Sequence, residues 1–222
     1  MVQAIELAQH EILLAVQELS APTIADALIA ARRRGVTVQV ILENNYSTPW
    51  TEQTPSQLKP HQHQRWYQLE QLADQNGDGT TTPEEAQQGD AIGLLLGQRI
   101  PIVDDTDDGS RGSGLMHHKF VVNDRTVVLT GSANFTRSGM HGDANRPKTR
   151  GNVNHILRFQ SNALAELFRQ EFETMWGDGP GESWTAALGF KKNPLASAQR
   201  WWAKRAWMCC LHRTENATST MD

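Results

Sequence analysis

Only two cysteines occur in 222 residues, and they are neighbours, Cys209 and Cys210. Adjacent cysteines bridge each other poorly and no third thiol is present, so a disulfide scaffold is excluded. No apolar run is long enough to span a bilayer, and the N-terminus, MVQAIELAQHE, lacks the basic start and long apolar stretch of a secretory signal. The expectation is a chain without a transmembrane segment, cytoplasmic as written, although a longer parent protein could be exported. Net charge is low: 21 Lys and Arg against 25 Asp and Glu give a formal charge of -4, which argues against a protein that coats nucleic acid or membranes through bulk charge. Charge is instead regional. Asp74, Asp78, Glu84, Glu85, Asp90, Asp104, Asp105, Asp107 and Asp108 crowd the middle, whereas Arg137, Arg146, Lys148, Arg150 and Arg158 follow later. The middle reads as cation territory and the later stretch as anion territory.

What is present begins with a βαβ unit. Residues 11 to 19 (EILLAVQEL) read as a buried strand. Residues 22 to 34 read as a helix with Ile24, Ala27, Leu28 and Ala31 on one face and Gly35 after its end, and residues 36 to 42 return to strand. That succession predicts an α/β fold, a mixed β-sheet flanked by helices. A polar stretch rich in Pro, Thr and Gln opens an insertion over about 46–99, with helices expected near 64–73 and 84–98. The short strand 100–103 follows. LMHHKFVVN and TVVLTG then read as a hairpin turning at Asp124 and Arg125, and NVNHILRF as a further strand. Residues 161–176 read as an amphipathic helix capped by Ser161, with Leu164, Leu167, Phe168, Phe172 and Met175 on its stripe. One domain over 1–180 and a tail over 181–222 are expected.

The chemistry lies in HHKFVVNDRTVVLTGSANFT, which holds His117, Lys119, Asp124, Gly131, Ser132 and Asn134. This pattern resembles the HxKxxxxD plus GSxN signature of the phospholipase D superfamily in its single-motif form, and the likeness extends over most of 11–176. The resemblance implies a phospholipase D-like fold and phosphodiester hydrolysis through a covalent phosphohistidine. Alternation along a strand puts His117 and Lys119 on one side and His118 on the other, which selects His117 as the nucleophile. Imidazole suits the role because an ordinary pKa of about 6.5 leaves much of it neutral. The resemblance makes Lys119 and Asn134 the phosphate cradle and Ser132 a supporting hydroxyl, with Gly131 and His155 beside the substrate. Gly131 would permit a close backbone approach. The family protonates the leaving group with a second histidine, normally from a second motif copy. One copy here implies a homodimer that sets two His117 residues across one cleft, with His141 and His155 as in-chain alternatives. Some members orient the nucleophile with a carboxylate where this chain has Val153. Asp124 or a backbone carbonyl is the expected substitute. The same window also reads as a plain β-hairpin with Phe120, Val122, Val127 and Leu129 in the core.

Residues 74–85, DQNGDGTTTPEE, fit a 12-residue EF-hand-like loop, with Asp74, Asn76 and Asp78 at the first, third and fifth positions, Gly79 at the sixth and Glu85 at the twelfth. Thr80 would add its carbonyl. A lone structural Ca²⁺ site is expected, with no metal needed for catalysis. The same residues also read as a turn and a capping box, with Thr82 as cap and Glu85 reaching back. The run Asp104, Asp105, Asp107 and Asp108 could bind a second cation, but an exposed acidic loop is the commoner reading.

The tail interleaves Trp201, Trp202 and Trp207 with Lys204 and Arg205 and shows no clean stripe, so a poorly ordered terminus of a shortened relative is expected. The leading substrate is a phospholipid headgroup. DNA or RNA is the alternative, and a catalytically inactive calcium-binding module is the third reading.

Overall fold

The chain's computed structural model describes residues 1–106, 115–140, 151–177 and 179–180. The expected tail over 181–222, His141, and the acids Asp107 and Asp108 lie outside the described residues.

The run EILLAV is buried at five of its six positions because it forms β1 (Glu11–Val16), which lies within the sheet with both faces covered. Pro22 starts α2 (Pro22–Arg33), its ring fixing the first-turn φ, and Gly35 at φ +91 ends the turn into β2 (Thr37–Leu42). β2 pairs parallel with β1, and β3 (Ile102–Asp104) pairs parallel with β2. On the other flank, β4 (Lys119–Asn123) runs antiparallel to β1. β5 (Val127–Gly131) runs antiparallel to β4, and β6 (Ile156–Gln160) antiparallel to β5. The order is β3-β2-β1-β4-β5-β6, a mixed sheet flanked by helices as expected.

Strand parity separates two cores. Leu14, Val16, Val38, Val40 and Val121 face α1 (Val2–Glu6), α2 and, further along the chain, α5 (Ala91–Gly97). Leu13, Ala15, Phe120 and Val122 face α7 (Asn162–Trp176). Ser161 caps α7 by accepting from Leu164 N at 3.3 Å. Phe172 is fully buried there, which at about 25 cal/mol per Å² stabilises by roughly 2–3 kcal/mol. Leu167, expected on the stripe, is 63% exposed.

The insertion departs from its sequence reading in two ways. Its first helix, α3 (Pro60–Ala73), starts four residues earlier than expected, because Pro60 opens the first turn and Gln62 Oε1 accepts from Lys59 N at 3.0 Å. The single helix expected over 84–98 is two, α4 (Pro83–Gly89) and α5. Asp90 breaks the run, accepting from Gly93 N as the cap of α5 and from Thr51 N and Oγ1. Its carboxylate is therefore a structural acceptor. Gly89 lets α4 close on α3, since a Cβ there would lie 2.5 Å from that of Ala73.

The β4–β5 hairpin turns at Asp124 and Arg125, both at positive φ (50° and 56°), the geometry of a two-residue type I′ turn. Short α6 (Arg137–Met140) follows β5.

Candidate active site

Strand direction gathers the motif at one edge. The carboxyl ends of β1, β2, β3 and β5 and the amino ends of β4 and β6 meet there, as expected for ligand sites in open α/β sheets. Lys119, expected within a strand, is the first residue of β4, and His117, itself exposed, lies two residues before it. The strand was expected to include His117. It begins two residues later because Met116 N is held by the Asp105 carboxylate at 3.2 Å instead of a neighbouring strand.

Lys119 is buried, and its Nζ donates to Gln17 Oε1 at 3.3 Å and to the His117 carbonyl at 3.1 Å. Asn134 Nδ2 donates to the same Gln17 oxygen, also at 3.3 Å. The two donors expected to cradle phosphate thus converge on one point. Burial lowers the Lys119 pKa from its ordinary value, partly offset by the nearby Glu18 carboxylate. His117 is lowered too, first by desolvation and then by the charge of Lys119 and His118, which favours the neutral, nucleophilic imidazole. His118 points the other way, as the alternation requires. Its Nε2 lies 3.2 Å from Glu171 Oε1 on α7, and its ring stands edge-on to Phe120.

Gly131, Ser132 and His155 form a second group at the same edge. Ser132 N donates to the His155 carbonyl at 3.1 Å, Ser132 Oγ donates to Asn154 Oδ1 at 2.9 Å, and the His155 ring Nδ1 lies 3.4 Å from that hydroxyl. A Cβ on Gly131 would sit 2.1 Å from the His155 carbonyl oxygen, so only glycine allows β6 this close. Val153, where a carboxylate was sought, is fully exposed.

Asp124 is not brought to this edge. It follows the last residue of β4, five residues and roughly 17 Å of strand from Lys119. Its Oδ1 accepts from His10 N at 2.7 Å and Glu11 N at 2.9 Å, and its Oδ2 from Gln9 N at 2.9 Å. Partial burial pushes the carboxyl up, but the Glu11, Gln9 and His10 N–H donors outweigh it and leave its pKa lowered. The catalytic or imidazole-orienting role expected for Asp124 is corrected to a staple that ties the hairpin turn to the start of β1. Arg158, grouped by sequence with the anion-facing residues, lines a cavity of about 50 Å³ beside Asn123 and Asp124 at this far end.

Two residues at the edge, Gln17 and Glu43, were missed by sequence reasoning, and a third, Asp105, was read as part of an exposed acidic loop. Gln17, Glu43 and Asp105 each follow a strand closely, and the one available signal was that position at a carboxyl end. Glu43 is 1% exposed and accepts from Asn45, and burial raises its pKa. Asp105 bridges Asn44 N (2.8 Å) and Met116 N, and burial raises its pKa as well. Beside Gln17, Glu18 accepts from Arg65 Nε at 2.8 Å, and that guanidinium lies over the Tyr46 ring at 4.9 Å.

The loop 74–85 stands apart from this edge. Asp74 accepts from Gly77 N and Gly79 N, Asn76 from Asp78 N, and Asp78 from Thr80 N, so successive side chains curl the loop inward. Glu85 closes it by accepting from Gln75 N and Asn76 N as well as from Thr82 N and Oγ1, the reciprocal of Thr82 Oγ1 accepting from Glu85 N. The capping box is therefore present, together with a turn that its side chains curl inward. Among the described residues, no group of three or more His, Cys, Asp or Glu side chains is gathered to hold a metal ion.

A mixed sheet carrying HxK at the head of β4 and GSxN at the foot of β5 defines a phospholipase D-like α/β domain. Residues 1–176 match the family described as cardiolipin synthase, PLD-like domain, and the chain belongs to that family. Similar proteins include the mitochondrial cardiolipin hydrolase of Xenopus tropicalis, 29% identical over 169 residues, which is 76% of this chain and 56% of that relative. The human mitochondrial cardiolipin hydrolase is 33% identical over 88 residues, 40% of this chain and 29% of its own length. The chain thus spans little more than half of the Xenopus relative. In fold, it is similar to Nuc, a phospholipase D family member from Salmonella typhimurium, with a TM-score of 0.50 at 22% identity over 81% of this chain and 86% of that one.

Proposed function

We propose that the chain is a phosphodiesterase in which His117 attacks phosphorus, and that its substrate is a phospholipid headgroup ester. The observation that carries this reading is the convergence of Lys119 Nζ and Asn134 Nδ2 on one oxygen beside the His117 segment. Two donors aimed at one oxygen suit a non-bridging phosphoryl oxygen whose charge redistributes during displacement. In the first step a new N–P bond forms at His117 as the P–O bond to the leaving group breaks, and the departing alkoxide takes a proton from a general acid. In the second, water adds to phosphorus, returns a proton to that group and displaces the imidazole. The lipid choice rests on the relatives named as cardiolipin hydrolases.

The acid is assigned to His117 of a second copy, because in-line displacement wants nucleophile and acid on opposite sides of phosphorus. The edge strand β6, which exposes Ile156, Leu157 and Phe159, is consistent with a partner surface. Calcium at 74–85 is retained as a structural proposal, supported by the inward curl of Asp74, Asn76 and Asp78.

The test is parallel incubation of the parent and His117→Ala with cardiolipin vesicles, phosphatidylcholine vesicles, plasmid DNA and RNA. Lipid cleavage by the parent alone is expected. Cleavage of nucleic acid only would overturn the lipid assignment, and turnover by His117→Ala would overturn the mechanism.

A further inference from the structure

Gln17 belongs to no motif, yet the cradle converges on its side chain. The backbone at this position is pinned on both sides: Gln17 N donates to the His118 carbonyl at 3.0 Å, and its own carbonyl accepts from Glu43 N at 3.3 Å. Its amide therefore projects from a fixed point where β1, β2 and the His117 segment join.

Donor chemistry fixes the orientation of the amide. An ammonium offers only hydrogens, so the oxygen end of Gln17 must face Lys119. Asn134 is then obliged to present its NH₂ group to the same oxygen, and its own Oδ1 is buried without a partner among the described residues. At 3.3 Å both bonds are longer than the common 2.9–3.0 Å, and both are made to a neutral acceptor. An anionic oxygen makes shorter bonds of roughly twice the strength. The Gln17 oxygen is thus a weak occupant of a position that a phosphoryl oxygen would fill better.

We propose that Gln17 is the positioning residue of the anion cradle, its amide oxygen holding Lys119 and Asn134 on one point and yielding that point to a non-bridging oxygen of the phosphodiester. The proposal rests on the phosphodiesterase reading above. Two near-isosteric variants separate it from a simple packing role. Gln17→Met fills the same space but accepts no such bonds, so the donors lose their common aim. Gln17→Glu keeps the length and the acceptor but places a full negative charge where the phosphate oxygen must come.

The experiment uses the full chain, with bis(p-nitrophenyl) phosphate for turnover, inorganic phosphate for calorimetric binding, and a melting temperature for each variant. Gln17→Met is expected to lower kcat by roughly 100-fold, the cost of a misplaced catalytic contact. Gln17→Glu is expected to raise KM and weaken phosphate binding by at least about tenfold through like-charge opposition. Gln17→Glu, which keeps the acceptor, should melt within about 2 °C of the parent, and Gln17→Met, which leaves two donors short of one, should fall by no more than about 5 °C, so both stay folded at the assay temperature. Kinetic and binding constants within twofold of the parent in both variants, or losses that track a falling melting temperature, overturn the proposal. A parent that binds phosphate but cleaves no diester overturns the functional reading, and the phosphate arm then still decides the role of Gln17. A parent that binds no phosphate removes the cradle and Gln17 with it.

Discussion

Replacing Asp124 with Asn separates a staple from a catalyst. The carboxylate accepts three backbone N–H groups, two on Oδ1 and one on Oδ2. In the asparagine variant the oxygen can keep His10 N and Glu11 N, but as neutral bonds, while the NH₂ end faces Gln9 N as donor against donor. Hydrogen bonds to charged groups contribute about 1.5–3 kcal/mol and neutral ones about 0.5–1.5, so two weakened bonds and one lost bond sum to roughly 3.5–6 kcal/mol. Two of the three bonds are exposed, which favours the lower half of that range. A drop of roughly 7–19 °C in melting temperature follows for a domain of this size. Turnover per folded molecule should stay within about twofold, because the side chain lies roughly 17 Å down β4 from Lys119. The pH dependence adds a signature. The folded Asp124 pKa is lowered, so its stabilisation is complete above the unfolded value near 3.9 and fades as pH falls through the folded value. The gap between parent and variant should therefore shrink on acidification below about pH 4. Unchanged melting with kcat reduced a hundredfold would refute this and return Asp124 to the chemistry.

Gly131→Ala drives a Cβ into the His155 carbonyl, so β6 must shift at a cost of about 1–3 kcal/mol. Thermal melts should show this loss, and turnover should fall further than the unfolded fraction explains. Because desolvation, Lys119 and His118 lower the His117 pKa, the acid limb of kcat/KM should lie below pH 6.5, and His118→Ala should move it without abolishing turnover. Calcium at tenfold excess over its Kd should stabilise the parent by about 1.4 kcal/mol, a rise of about 4 °C. Asp74→Ala with Glu85→Gln should show none of that rise, and an equal rise in the double variant removes the calcium reading.

The elements legible in the sequence were those whose signal is local. β1 and β2 were visible as short apolar runs, α2 and α7 as 3.6-residue stripes, and the Asp124–Arg125 turn by its place between two strands. His117, Lys119, Ser132 and Asn134 were legible because one short window holds them all. Gln17 and Glu43 were not, and Asp105 was read as part of an exposed acidic loop, because what brings them to this edge is the strand order. Only the pairing β3-β2-β1-β4 brings three separate strand ends to His117. Asp124 misled for the opposite reason, since proximity in sequence along an extended strand means distance in space. Asp90 was read as part of an acidic stretch, whereas the burial of its cap between α4 and α5 decides its role.

A chain of net charge -4 that is to hold a phosphodiester must also deal with the carboxylates at its own site. Glu18, Glu43 and Asp105 stand at the same sheet edge as Lys119. Two unit charges about 4 Å apart interact by about 4 kcal/mol at an effective dielectric of 20, so even one uncompensated carboxylate beside the cradle would oppose an incoming phosphate. The structure compensates each one differently. Burial raises the pKa of Glu43 and of Asp105, moving both toward the neutral form, and Asp105 also takes two backbone N–H groups. Glu18 is answered by Arg65, which α3 of the insertion brings to the sheet edge and stacks on Tyr46. The insertion therefore does more than carry the loop 74–85: through Arg65 it offsets Glu18, the carboxylate closest to Gln17 in the chain, which would otherwise oppose an anion brought to Lys119 as the proposed function requires.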